Sequence, residues 1–309
     1  MAYRLRARRA RNSTKGVPRL PPDKSVEASL AEMGQFAYQY LLAPSLRQQL
    51  ATTTADHLVV DLDEQLIDIP WELFHDGRSF LCLRFAIGRR ILAKERPSAS
   101  PRIEHSRRRL LVIGNPTGDL PQAHAESKEI ARLAASHHVE VTLLSERLAK
   151  KNDFLRAFEQ YDLIHYAGHG SYNLKNPDES YLSFADGEVR AHEIARFAAG
   201  SPPRFVFLNA CWSAQELATP ASYAAIVRGL SRTFIYSGVG AFIGSILPIP
   251  DASAARMAVL LYDGLLGGLS VGEALRIART TFVHECRPND SAWATLVLYG
   301  DPTTRPLPK

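Results

Sequence analysis

The chain has 309 residues, 46% of them hydrophobic, enough to bury one large core or two small ones, so disorder of the whole chain is excluded. Its formal charge of +5 belongs to one end. Met1 to Pro22 carries seven basic and no acidic residues, and without those seven the remaining 30 basic residues face 32 acidic ones. A basic nucleic-acid-binding body is thereby excluded.

Residues 1–24 are expected to form a solvated, disordered basic tail. No helix-turn-helix, finger or RNA-binding motif is present, so no specific nucleic-acid partner is expected. The longest apolar stretch, Phe234 to Ile249, is broken by Ser237, Ser245, glycines and proline, which leaves no transmembrane candidate. The start of the chain lacks the basic, apolar, then small-residue order of a signal peptide, and a cytoplasmic location is expected. Cys82, Cys211 and Cys286 show no C-x-x-C spacing, so neither a disulfide framework nor a metal site is expected, and no cofactor motif appears. Cys82, within an apolar run, reads as core filler, and Cys286 as no ligand; Cys211 is left.

In chain order, Ser25 to Leu50 is helical, with Leu30, Met33, Phe36, Ala37, Tyr40 and Leu41 as its apolar positions. His57 to Asp63, Ile67 to Phe74 and Phe80 to Leu92, with the Asp76-Gly77 turn signal, read as a small antiparallel unit. A Pro- and Ser-containing linker from Glu95 to Arg109 follows. From Leu110 strands and helices alternate: strands at 110–114, 139–144, 161–166 and 204–208, helices at 123–135, 149–160 and 189–199. Such alternation implies right-handed β-α-β crossovers and a parallel sheet. Ser222 to Leu230 reads as helix, Thr233 to Tyr236 and Ala241 to Ser245 as strands. Asp251 is expected to N-cap a helix through Leu266; a helix at 271–283 and a strand at 294–298 close the chain. The expected organisation is the tail at 1–24, an N-terminal helical and β-hairpin part at 25–100, and a core at 101–309.

His169 and Cys211 each follow one of these parallel strands, 42 positions apart, ample for one β-α-β unit. If the strands are neighbours, imidazole and thiol meet at their carboxyl ends, where reacting groups collect in open parallel sheets. An imidazole beside a thiol favours the thiolate and later protonates a leaving amine. Gly168 and Gly170 allow close backbone approach, and the N–H groups of Gly170 and Cys211 are candidate oxyanion donors.

These segments resemble the CHAT domain, a branch of the caspase-like cysteine peptidases. The similarity lies in Ile69-Pro-Trp-Glu-Leu73 with Asp76-Gly77, Gly114-Asn-Pro116 followed by Glu126, Ile164-His-Tyr-Ala-Gly-His-Gly170, Leu208-Asn-Ala-Cys211 with Ser213, Pro250-Asp251, Gly272-Glu-Ala-Leu275, and Trp293-Ala294 with Tyr299-Gly-Asp-Pro302. It runs from about Leu30 to Pro302. The resemblance implies a caspase-like three-layer α/β sandwich with a mostly parallel central sheet. It assigns the base to His169 and the nucleophile to Cys211, with Asn209, His165 and Ser213 as candidates for the substrate pocket; His165, inside its strand, also reads as packing or support. Related Arg- or Lys-specific enzymes carry an acidic residue where this chain has Asn209, which leaves a preference for a basic residue before the cleaved bond unassigned. Trp71, Glu72 and Trp293 read as buried structural residues. The implied activity is an endopeptidase acting on a protein substrate in antiviral defence or programmed cell death, a pore-forming effector among the candidates, with a separate activating or sensor protein as trigger. The rival is a catalytically silent scaffold of the same fold.

Overall fold

A computed structural model describes residues 2–7, 25–92, 108–171, 173, 176–197, 202–212, 230, 232–245, 249–285 and 290–307. The strands are β1 Ala2–Ala7, β2 His57–Leu62, β3 Ala86–Ile91, β4 Arg109–Gly114, β5 Glu140–Ser145, β6 Leu163–Ser171, β7 Tyr181–Phe184, β8 Gly187–Arg190, β9 Phe205–Trp212, β10 Ala241–Ser245 and β11 Leu296–Gly300. They form one sheet in the order β1-β2-β3-β11-β10-β9-β6-β4-β5, with the β7-β8 hairpin attached to the end of β6. Every neighbouring pair along this order is parallel except β10 with β11. The mostly parallel α/β sheet expected from the alternating pattern is therefore present.

Helices cover both faces. One face carries α4 Pro121–Ser136, α8 Asp251–Leu266 and α9 Val271–Glu285, whose Ile130, Met257, Leu261, Leu275 and Phe282 pack with Val112, Phe205, Phe207 and Ile243. The other carries α5 Lys151–Gln160, α6 Ala191–Phe197 and α7 Arg232–Tyr236, whose Phe154, Phe158, Ile194 and Phe234 pack with Ile113, Ile164, Val206 and Leu208. A side chain of this size contributes about 1.5–3 kcal/mol when fully buried. The alternation of successive residues between these two cores fixes the strand register, because a slip of one residue would exchange the cores.

Several expectations are corrected. The small antiparallel unit does not form: β2 and β3 pair in parallel, with Val59 opposite Gly88, and extend the main sheet. The 23 residues between these strands make room for a crossover built from short turns, with 3-10 helices at Glu64–Leu66 and Trp71–Leu73 and the helical turn α3 at Leu81–Arg84. The antiparallel pairing there is a single bridge, His75 to Phe80, around the Asp76-Gly77 turn. The β3–β11 contact, Arg89 opposite Tyr299, joins the expected N-terminal part to the core in one sheet.

Within the basic segment, Ala2–Ala7 forms β1, parallel to β2, and the rest of the expected tail lies outside the described residues. Tyr3, Leu5 and Ala7 alternate there with Arg4 and Arg6, the period of a strand. On α1, Val26–Leu41, the buried residues are Ser29, Gly34 and Tyr38, while Met33, Phe36, Tyr40 and Leu41 are exposed. Small residues let this helix lie close to the Trp71–Leu73 turn, so its larger apolar side chains face outward. Thr233 to Tyr236 lies in α7, where Phe234 stacks on Phe242, rather than in a strand. Asp251 is the first residue of α8, and Pro250 occupies the N-cap. The helix expected at 222–230 lies, save for Leu230, outside the described residues, as does Cys286.

Trp71, Glu72 and Trp293 are structural. Trp71 donates Nε1–H to the Leu66 carbonyl at 3.0 Å, and Trp293 is buried against Phe80. Glu72 meets Arg89 through both its oxygens, with Nε 2.8 Å from Oε1. Burial works against the charge on Arg89, but the adjoining Glu72 carboxylate holds the guanidinium protonated beyond its ordinary range.

Candidate functional site

The sheet order brings the carboxyl ends of β4, β6 and β9 side by side. β6 pairs with β9 in an unbroken parallel register from Leu163 opposite Phe205 to Gly170 opposite Trp212, and in that register His169 lies directly opposite Cys211. Neighbouring parallel strands are about 4.8 Å apart. The two residues are therefore within the last positions of paired strands, where the sequence pattern had ended both strands a few residues earlier. β6 runs on to Ser171 because the β7-β8 hairpin gives its end a second partner, with Gly170 opposite Leu182 and Ser171 opposite Tyr181. Tyr166 secures this end: its hydroxyl lies 2.7 Å from the carbonyl oxygens of both His169 and Ser183.

The His169 side chain is 36% exposed, open to a ligand, and its Nε2 is 2.8 Å from Asp119 Oδ2. Asp119 sits in the loop leaving β4. Its carboxyl is held below the usual carboxylate range by the hydroxyl of Thr117 and by His169. Gly170, the expected oxyanion donor beside Cys211, is buried and has register partners on both sides, Trp212 and Leu182.

Close to these strand ends lies a carboxylate that sequence reasoning assigned no role. Glu126 falls on the inward stripe of α4 with Ile130 and Ala134, so the helix that covers the sheet carries it to the strand ends. Both its oxygens accept from the side-chain amide of Asn209, at 2.8 and 2.7 Å. His165 is fully buried, stacked on Phe207, with Nε2 3.2 Å from Glu126 Oε1 but outside hydrogen-bond geometry. Tyr262 stands edge-on to His165, and burial together with the Glu126 charge pushes its phenol well above the ordinary value.

Leu120, Ala123, Glu126, Gly168, Asn209, Asp251 and Ala254 line a small open recess at the ends of β6 and β9, with room for about one water. Of the expected pocket residues, Asn209 lines this recess, His165 lies behind it in the core, and Ser213 is outside the described residues. A buried charged residue in line with apolar ones four and eight positions on was the available signal for Glu126. Among the described residues no His, Cys, Asp and Glu side chains cluster as metal ligands, and no helix is long and apolar enough to cross a membrane.

Cys82 is a different thiol. It is completely buried, and burial pushes it up to about 11, so at neutral pH it stays protonated and unreactive.

The CHAT-domain family model matches residues 31–301. Among solved structures, the chain resembles separase of Saccharomyces cerevisiae in its complex with securin, at 18% identity and a TM-score of 0.54, over 82% of this chain and 16% of that one. It resembles gingipain R, described as an Arg-specific cysteine proteinase, at 13% identity and a TM-score of 0.55, over 90% and 75% of the two chains. The RgpB domains of Porphyromonas gingivalis give 13% identity and a TM-score of 0.52, over 90% and 77%. The chain thus spans 16% of the separase chain, and at these identities the likeness is one of fold. No curated protein matches the chain.

Proposed function

Because the chain belongs to the CHAT-domain family and has a caspase-like fold, we propose that it is a cysteine endopeptidase that cleaves a protein substrate with Cys211 as nucleophile and His169 as base and acid. The observation that carries this reading is the register of β6 and β9, which sets His169 opposite Cys211 at adjoining strand ends. His169 takes the proton of the Cys211 thiol, and the thiolate attacks the scissile carbonyl, forming a C–S bond and an oxyanion. The N–H groups of Gly170 and Cys211 are the proposed oxyanion donors. His169 then gives its proton to the departing amine as the C–N bond breaks, and activates water to hydrolyse the thioester. Asn209 and the recess it lines belong to the substrate side of this site, with His165 supporting them from the core. The cellular reading is defence or programmed cell death in the cytoplasm, with a pore-forming effector as substrate and a separate protein as trigger.

Alkylation by iodoacetamide tests the dyad without knowledge of the substrate. In the native full-length chain Cys211 is expected to react about tenfold or more faster near pH 7 than in His169→Ala, because the imidazole supplies the thiolate. Cys82 is expected to react only after unfolding. Peptide mass spectrometry reads both sites; equal Cys211 rates in the two proteins would mean a scaffold with an unactivated thiol.

A further inference from the structure

Resting on the dyad reading, we infer that Asp119 is a positioning residue for His169, fixing the imidazole with its proton on Nε2 and leaving Nδ1 to exchange the proton of Cys211. A carboxylate can only accept at this contact, so the 2.8 Å approach of Asp119 Oδ2 to His169 Nε2 requires the hydrogen to be on Nε2. The neutral ring then has its lone pair on Nδ1. When Nδ1 takes a proton, the cation formed is already hydrogen-bonded to a negative charge.

The loop that presents Asp119 is built onto the strand that carries His169. Asn115, buried and in the left-handed region with φ 51°, donates its backbone N–H to the Ala167 carbonyl of β6 at 2.8 Å. Its side-chain oxygen accepts from Leu120 N at 2.8 Å, closing the loop around Thr117, Gly118 and Asp119. Gly118 turns the chain at φ 82°, and its N–H returns to the Asn115 carbonyl at 3.0 Å. Pro116 lies against Gly168, where a Cβ would come within 2.8 Å of its ring and 2.7 Å of the Tyr166 hydroxyl, so only glycine admits the loop this close. Thr117 donates to the second Asp119 oxygen. The loop is thus tied through Ala167 and Gly168 to the strand that carries His169.

With its carboxyl held below the usual range, Asp119 stays charged, and the contact is kept, until pH falls through that lowered value. Among the described residues Asp119 is the charged side chain in hydrogen-bond reach of His169.

The test uses the full-length chain labelled with ¹⁵N-histidine, His169 being assigned by difference from His169→Ala. Long-range ¹H–¹⁵N spectra at pH 8 are expected to show His169 protonated on Nε2 in the wild type and redistributed between tautomers in Asp119→Ala. Over pH 5–9, Cys211 alkylation is expected to slow about three- to tenfold below pH 7 in Asp119→Ala and Asp119→Asn, with partial recovery in Asp119→Glu. A wild-type His169 protonated on Nδ1, or an Asp119→Ala profile that overlays the wild type, overturns the assignment while leaving the dyad intact. Wild-type alkylation that ignores His169→Ala removes the dyad reading, and this one with it.

Discussion

Glu72→Ala is expected to lower the free energy of unfolding by about 3–5 kcal/mol, because it leaves the Arg89 guanidinium buried and uncompensated. Arg89 and Glu72 are each 1% exposed, and Arg89 also gives Nη1–H to the Ile67 carbonyl at 2.5 Å and lies under the Tyr299 ring at 5.7 Å. The pair thus ties the Trp71–Leu73 turn to β3 at the place where β3 meets β11. Removing both charges is expected to cost much less than removing one, so Glu72→Leu with Arg89→Leu should recover most of the loss. Urea denaturation at pH 7 measures all three proteins. A midpoint for Glu72→Ala within error of the wild type would show that the guanidinium finds water or another partner.

His169→Ala is expected to reduce kcat/KM for peptide cleavage by about 10²–10⁴-fold, the range for loss of a positioned acid-base group. The side chain is partly exposed and belongs to neither hydrophobic core, so the variant should stay within about 1 kcal/mol of wild-type stability. His165→Ala should separate from it by its stability loss, since that ring is buried between Phe207 and Tyr262. A His169→Ala protein that folds normally and keeps its kcat/KM would show that the imidazole does not take part in cleavage.

What the sequence disclosed was local. The alternating apolar runs pointed to the parallel sheet, and the His-Gly and Asn-Ala-Cys motifs pointed to the proposed dyad, because each of these signals lies within a few consecutive residues. The partners of those motifs were hidden by distance along the chain. Asn209 meets Glu126 from 83 positions away, and Asp119 meets His169 from 50, through a strand order in which β4 and β9 flank β6. The strand ends were underestimated for a similar reason: the strand was expected to end at Tyr166, yet pairing with β9 and then with β7 keeps β6 extended through Ser171. Asn209 itself changes meaning. In place of an amide lacking a charge, it is the donor that holds a buried carboxylate at the edge of the recess. At the other end of the sheet, the turn signal at Asp76-Gly77 was genuine, but parallel pairing of β2 and β3 depends on contacts that no local pattern encodes.

The most direct test of the dyad as a working protease is to incubate the full-length chain with a denatured protein mixture and map new N-termini by mass spectrometry, wild type against Cys211→Ala. The proposal predicts a defined set of new termini with the wild type and none above background with Cys211→Ala. The same termini from both proteins would contradict it; none from the wild type would contradict a protease that is active without its proposed trigger.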